Sequence, residues 1–245
     1  GRQALEALEA VPQLAVAART PLTGPLRLGV IPTIGPFLIE PLVKTIRTRF
    51  PQLTLSIAED TTEHLLEKLG IGRLDMLVLA MPCLCDTAET LPLWRDPFHV
   101  IMPEDHPLAR LSHVPVEWLA DQRMIMMEDG HCLREQTLAV CRQGREWHGT
   151  EGESDSTFSA TSLHTMAEMV GLGLGIGVVP LLALEGGILR GHPVISRPLS
   201  GGPVWRTLGL GWRPRSPRSE DFKTLATAFS SLAPHPTQPL NQDFV

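Results

Sequence analysis

Residues 26–50 read LRLGVIPTIGPFLIEPLVKTIRTRF, and this stretch decides the fold class. It begins with a short apolar run, turns through a segment rich in proline and glycine, and continues with a new periodicity. The apolar positions of its second half recur at steps of four: Leu38, Leu42, Ile46 and Phe50. This order is typical of a β-strand followed by an α-helix, which Pro51 ends because proline cannot continue it.

The same alternation continues downstream. The patterns predict strands over 53–58 and 76–80, with a helix over 62–69 between them. A strand–helix–strand–helix–strand unit of this kind is expected to form a mostly parallel sheet with helices on both faces.

A second unit of similar size follows. Its predicted elements are strands over 98–102, 124–127, 157–160, 176–179 and 194–197, and helices over 131–142 and from 161 or 162 to 170. A strand over 207–212 and a helix over 219–232 complete the pattern. The chain is therefore predicted to be an α/β protein of two units, with its binding site in the cleft between them at the carboxyl ends of strands.

Composition and charge narrow the class of protein. With 43% hydrophobic and 20% charged residues in a chain of 245, the balance is that of a globular protein with a sizeable core. No apolar run approaches the roughly 20 residues of a membrane-spanning helix, so no membrane partner is expected. The net charge of −6 argues against this chain binding a nucleic-acid backbone by itself. Four cysteines without a signal peptide favour a reducing cytoplasm, where a disulfide is transient and functional.

Two of the cysteines, Cys132 and Cys141, stand nine residues apart in a predicted helix. A helix would hold them roughly 13 Å apart on opposite faces. A disulfide needs Cα atoms within about 7 Å, so these thiols bond only after part of the helix unwinds. A polar, glycine-rich segment, 143–155, follows Cys141. We expect this segment to be a mobile loop that lets Cys141 move toward Cys132.

Cys132 has the surroundings of a reactive thiol. It lies near the predicted helix start, where the helix dipole favours a thiolate, and His131 and Arg134 add positive charge nearby. A thiol of lowered pKa attacks peroxide and becomes a sulfenic acid, which a second thiol resolves. The residues alone leave two alternatives open: Cys132 as an inert, partly buried thiol, and Cys141 as a core residue.

Motifs for other chemistry are weak. Cys83 and Cys85 could supply two metal ligands, but no second close pair of ligands stands near them in sequence, so no metal site is expected. Neither a nucleophile elbow, nor a zinc-protease motif, nor a phosphate-binding loop is present.

Two motifs resemble a known family. Residues 24–36, GPLRLGVIPTIGP, resemble the start of the effector-binding domain of LysR-type transcription regulators. Residues 128–136, EDGHCLREQ, with Cys141 after them, closely resemble the hydrogen peroxide-sensing members of that family, as does the segment 160–163. The resemblance extends from about residue 24 to about residue 232.

This resemblance implies two Rossmann-like subdomains in the type 2 arrangement of a periplasmic binding protein. Subdomain I would comprise residues 24–97 and 201–233, and subdomain II residues 98–200 with the redox cysteines. Residues 1–23 would be the end of a linker helix and a linker, and residues 234–245 a tail. The family's winged helix-turn-helix domain is absent from this chain, which does not begin with Met and is expected to be a fragment.

The resemblance also implies chemistry for particular residues. Cys132 falls on the family's peroxide-reactive thiol, and Cys141 on its resolving thiol. The family's peroxide-binding residues correspond to Thr33, Thr62, His131 and Arg206 in this sequence. Arg134 and Gln136 are expected to be supporting residues of the same site. Hydroxyl and imidazole groups would position the distal oxygen, while Arg206 stabilises the thiolate and the developing oxyanion. No cofactor or metal is implied, and no enzyme activity, because the thiol is consumed once per signal.

The implied function is that of a cytoplasmic, peroxide-responsive transcription activator in oxidative stress. Its partners would be hydrogen peroxide, promoter DNA through the absent domain, RNA polymerase, and a thiol reductant such as glutaredoxin or thioredoxin. A homodimer or homotetramer is expected. The alternative is a LysR-type domain that senses a small organic ligand in the interdomain cleft with both cysteines structural. A thiol peroxidase with turnover is a third class, for which the sequence shows no peroxidase motif.

Overall fold

The computed structural model describes residues 20–81, 88–142 and 158–233. Several predictions lie outside these residues: those on the linker helix, on Cys83 and Cys85, on the segment 143–155 and on the tail. Within the described ranges, no helix combines the length and the apolar character that crossing a membrane requires.

The first unit forms as the hydrophobic pattern predicts. Its elements are β1 (Gly24–Val30), α1 (Gly35–Arg49), β2 (Leu53–Glu59), α2 (Thr62–Gly70) and β3 (Met76–Met81). β1 pairs in parallel with both β2 and β3. The apolar stripe of α1 is buried at Leu38, Leu42 and Ile46, and basic residues in its last turn complement the helix dipole.

The rest of the chain contains more elements than its sequence pattern indicates. These are β4 (Glu89–Pro103), β5 (Val114–Pro115), β6 (Met124–Met127), α3 (Cys132–Cys141), β7 (Ser159–Ala160), α4 (Leu163–Gly171), β8 (Ile176–Pro180), α5 (Leu181–Glu185), β9 (Val194–Ser200), β10 (Trp205–Trp212) and α6 (Ser219–Ser230). Two 3-10 helices, Pro107–Arg110 and Val116–Asp121, lie between β4 and β6.

The predicted helices at α3, α4 and α6 are confirmed, and Ser162 caps α4 by accepting a hydrogen bond from the Thr165 N–H at 3.1 Å. The 3-10 helices, β5, α5 and the first half of β4 were not predicted.

The parallel pairing predicted for the first unit is confirmed for β1, β2 and β3, but the two longest strands run antiparallel to their neighbours. β10 runs antiparallel to β3 and β4, and β4 runs antiparallel to β8 and β9. The strand order is β2-β1-β3-β10-β4-β8-β6-β7. β4 pairs with β10 through its first half and with β8 and β9 through its second half, so it joins the two units. An alternation of strands and helices does not reveal this, because strand direction is set by long-range pairing.

Buried apolar side chains form two cores. One core draws on residues 26–94 and 208–229 together with Leu182, and the other on residues 98–199. Phe37 of α1 packs against both cores. The subdomain boundaries implied by the family resemblance stay a prediction.

Gly209 lies where the register between β10 and β4 shifts. A Cβ at this position would lie 2.5 Å from the carbonyl oxygen of Leu91, too close for a backbone contact. We expect Gly209→Ala to lower the free energy of unfolding, measured in urea, by about 1–3 kcal/mol through overpacking. Gly211→Ala is the matched control, since its Cβ would meet the nearest atom, on Leu79, at 3.4 Å. Equal losses in the two variants would contradict the packing argument.

Candidate functional site

Three chain segments meet at the carboxyl ends of strands. Thr33 follows β1, Thr62 begins α2 after β2, and Cys132 begins α3 after β6. Together they line a narrow recess, whose walls are Ile31, Pro32, Thr33, Thr61, Thr62, Gly130, His131 and Cys132. The structure thus places four residues predicted for the peroxide site around one recess. Thr61, the residue before Thr62 in the sequence, was not predicted.

The recess is tight and partly polar. It has no room for a water-sized sphere in this conformation. Gly130, at φ +88°, makes the turn that leads into α3, a conformation that favours glycine. The Thr62 hydroxyl oxygen is buried and has no hydrogen-bond partner among the described residues that meets ordinary geometry. It nevertheless lies close enough to the Cys132 thiol to help lower the pKa of that group.

A fully buried ion pair stands behind the recess. Arg206 on β10 donates from Nε to Asp96 Oδ2 at 2.9 Å, and neither side chain is exposed to solvent. The same guanidinium donates to the hydroxyl and carbonyl oxygens of Thr33, at 2.8 and 3.1 Å. Asp96 accepts a further bond from the backbone N–H of Leu182 at 3.0 Å, at the start of α5. The pair therefore ties together β4, β10, the end of β1 and α5.

Sequence reasoning found Arg206 but missed Asp96. The available signal was an aspartate in a mostly apolar stretch, Leu93 to Phe98, whose other charged residue is Arg95, and the strand predicted here began only at residue 98. Burial raises the pKa of the Asp96 carboxyl, and the Arg206 charge and the Leu182 N–H oppose that shift.

The expectation of a lowered pKa at Cys132 is wrong for this conformation. Burial raises the pKa of the thiol, and this outweighs the lowering by the Arg206 charge, the Thr62 hydroxyl and the first backbone N–H groups of α3. The helix start acts as predicted, but the loss of hydration is larger. The resting thiol is therefore mostly protonated at neutral pH.

Arg134 and Gln136, the two predicted supporting residues, lie farther along α3. Arg134 pairs with Asp129, Nε to Oδ1, at 2.8 Å, and donates to the carbonyl oxygen of Met127 at 3.2 Å. Asp129 therefore engages the charge of Arg134. The arginine whose charge acts on the Cys132 thiol is Arg206. The Gln136 side-chain oxygen is buried and lacks a hydrogen-bond partner within the described part of the chain.

Cys141 occupies a different environment from Cys132. Its side chain is fully buried in the second core, whereas Cys132 is partly exposed and packs against the first core. Burial raises the pKa of Cys141 to about 11. Both thiols are free. The two ends of α3 therefore belong to two different hydrophobic clusters.

The chain is similar to known regulators over most of its length. The family model for the LysR substrate binding domain matches residues 19–233. The DNA-binding transcriptional dual regulator OxyR of Escherichia coli is 34% identical over 227 residues, which cover 93% of this chain and 72% of that protein. The probable hydrogen peroxide-inducible genes activator of Mycobacterium leprae is 34% identical over 232 residues, covering 94% and 72%.

Solved structures show the same fold. The reduced OxyR regulatory domain of Pseudomonas aeruginosa matches with a TM-score of 0.73 at 33% identity, covering 86% of this chain and 99% of that one. The reduced regulatory domain of OxyR2 from Vibrio vulnificus gives 0.77 at 38%, covering 87% and 98%. A cysteine-to-serine mutant of Corynebacterium glutamicum OxyR with hydrogen peroxide bound gives 0.82 at 30%, covering 94% and 71%. The predicted α/β fold of two Rossmann-like subdomains in a periplasmic-binding-protein-like arrangement is thereby confirmed.

The raised pKa of Cys141 predicts a pH-dependent loss of stability. A buried thiol with a folded pKa of about 11 stays protonated in the folded chain, while the unfolded chain begins to release this proton near its ordinary value of 9.0. Under reducing conditions, the free energy of unfolding of the wild type should fall by about 2–3 kcal/mol more between these two pH values than that of Cys141→Val. Parallel curves for the two chains in urea denaturation would contradict the burial of this thiol.

Proposed function

The chain belongs to the LysR substrate binding domain family, and on this premise we propose that it is the peroxide-sensing regulatory domain of an OxyR-like transcription regulator. One observation carries the proposal: Cys132 lines a recess together with Thr33, Thr62 and His131, with the Arg206 guanidinium held behind it. This set combines a nucleophile, hydroxyl groups that can orient peroxide, and a cation for the developing negative charge.

The site favours a very small oxidant over an organic effector. The Arg206–Asp96 pair is fully buried, and the recess in front of it excludes even a water-sized sphere. Hydrogen peroxide needs only a small movement of the walls to enter. A ligand of several carbon atoms would require a much larger opening of the same walls. The organic-ligand alternative therefore has no supporting observation at this recess.

The first chemical step is attack on the peroxide O–O bond. The Cys132 thiolate forms an S–O bond, the O–O bond breaks, and hydroxide leaves and takes up a proton to become water. Thr33 Oγ1 already accepts a hydrogen bond from Arg206, so its own proton remains available for a peroxide oxygen. The buried Thr62 hydroxyl supplies a second donor, and Arg206 stabilises the charge of the leaving oxygen.

The second step joins the two thiols and changes the structure. Cys141 attacks the sulfenic acid of Cys132, an S–S bond forms, and water leaves. In α3 the two Cα atoms are separated by roughly 13 Å, while a disulfide requires about 7 Å or less. The helix must therefore unwind, and Cys141 must leave the second core, where its thiol is poorly nucleophilic because burial keeps it protonated. The conformational change is the signal.

The proposed chain is a sensor within a larger regulator. Each event consumes one thiol and yields a disulfide, so a cellular thiol reductant such as glutaredoxin or thioredoxin must restore it, and no turnover as an enzyme is implied. In the intact regulator a winged helix-turn-helix domain would contact promoter DNA. The unwinding of α3 would change how two or four copies assemble, and through that the DNA contact and the recruitment of RNA polymerase.

Mild treatment of the reduced chain with hydrogen peroxide tests this proposal. We expect the intact mass to fall by two hydrogen atoms, with a peptide linked between Cys132 and Cys141 in the digest. Cys132→Ser should abolish the linked peptide, because the attacking thiol is lost. Cys141→Ser should retain a sulfenic acid that dimedone traps on Cys132. Peptide mass spectrometry separates these products from any oxidation of Cys83 or Cys85.

The same experiment distinguishes the alternatives. A chain whose mass and cysteines stay unchanged under peroxide, but which binds a metabolite tightly, would be an effector-binding domain of the family. Sustained consumption of peroxide in the presence of a reductant would identify a peroxidase instead.

A further inference from the structure

One buried cation serves two groups that can carry negative charge. The Arg206 guanidinium is bonded to Asp96 at 2.9 Å, and its charge also acts on the Cys132 thiol. Asp96 is held on its other oxygen by the backbone N–H of Leu182 at 3.0 Å. The Asp96 carboxylate is bonded to the buried guanidinium, and the partly exposed Cys132 thiol experiences the charge of the same guanidinium.

We propose that Asp96 sets the reactivity of Cys132 by competing with its thiolate for the Arg206 guanidinium. This inference rests on the proposed function, because the thiolate is the form of Cys132 that attacks peroxide. With the thiol protonated, the three groups together are neutral. Formation of the thiolate leaves one net negative charge in a site of low dielectric, which is unfavourable.

The competition makes the two ionisations interdependent. A thiolate at Cys132 favours a proton on Asp96, and a protonated Asp96 leaves Arg206 free to stabilise the thiolate. Asp96 is therefore a positioning residue, which holds Arg206 and also limits its effect on the thiol. If the carboxylate is removed, Thr33 still accepts two hydrogen bonds from Arg206, so the guanidinium stays beside the recess.

Other charged groups near the thiol are engaged or lie nearer the solvent. Arg134 is paired with Asp129, whose side chain is 93% exposed, and salt screens such a pair. On α2, Lys68 and His64 both contact Asp60, at 2.6 and 3.0 Å. His131 precedes the thiol and also lines the recess, but it is partly exposed. The buried charge that acts on Cys132 comes from Arg206.

The pH dependence of alkylation measures the competition directly. The reduced chain is treated with iodoacetamide over a range of pH, and the rate at Cys132 is followed by peptide mass spectrometry. In Asp96→Asn we expect the midpoint of the profile to move to lower pH by about one unit, with alkylation at neutral pH roughly tenfold faster. A midpoint that stays in place or moves to higher pH would overturn the proposal.

The matched control is a second aspartate–arginine pair in the same sheet. Asp75, directly before β3, is buried and bonds Arg27 of β1 at 2.7 and 3.0 Å, although the Arg27 side chain is 40% exposed. Asp75→Asn should lower stability and leave the alkylation profile of Cys132 unchanged. If the alkylation midpoint of Asp75→Asn shifted as much as that of Asp96→Asn, a general loss of stability would explain both shifts. The proposed competition would then be rejected.

A second measurement needs no substitution at Asp96, in case Asp96→Asn fails to fold. Carbon-13 NMR of the Asp96 carboxyl should show its resonance moving as the Cys132 thiol titrates in the wild type, and staying constant over that range in Cys132→Ser. Identical behaviour in the two chains would overturn the proposal. Failure of the proposed function has a different signature: Cys132 would not react with peroxide at all, whatever its alkylation profile.

Discussion

Helix α3 runs from one hydrophobic core to the other, and this keeps its two cysteines apart. Cys132 packs against the first core and Cys141 is buried in the second. The rise of an α-helix separates them by roughly twice the distance that a disulfide permits. The folded helix α3 and a disulfide between Cys132 and Cys141 therefore exclude each other. In the proposed function, this one geometric constraint makes the oxidised state structurally different from the reduced state.

The Arg206–Asp96 pair determines what can happen at the start of that helix. It occupies the junction of β4 and β10, the two strands that carry the chain between the cores, and it fixes Thr33 and the start of α5. The pair is shielded from solvent, and the recess in front of it is narrow. Burial of the Cys132 thiol raises its pKa, and the Arg206 charge opposes that shift.

The sequence predicted those helices and strands that depend on interactions between residues close together in the chain. The strands and helices of the first unit, α3 and α4 follow from hydrophobic periodicity, with a serine cap at the start of α4, and the family resemblance implied Thr33, Thr62 and His131, which the structure brings to one recess. Long-range properties were missed. The direction of β4 and β10 depends on which distant strands they pair with, and the role of Asp96 depends on a partner 110 residues away. The sign of the thiol pKa shift was wrong because burial is a tertiary property that spacing does not contain.

Amide hydrogen exchange in α3, before and after peroxide, tests most directly the claim that the disulfide and the helix exclude each other. In the reduced chain we expect amides of Cys132–Cys141 to be protected, as are those of α4, Leu163–Gly171, which serves as the internal reference. After oxidation, α3 should lose its protection while α4 retains it. Formation of the Cys132–Cys141 disulfide with the protection of α3 intact would contradict the account.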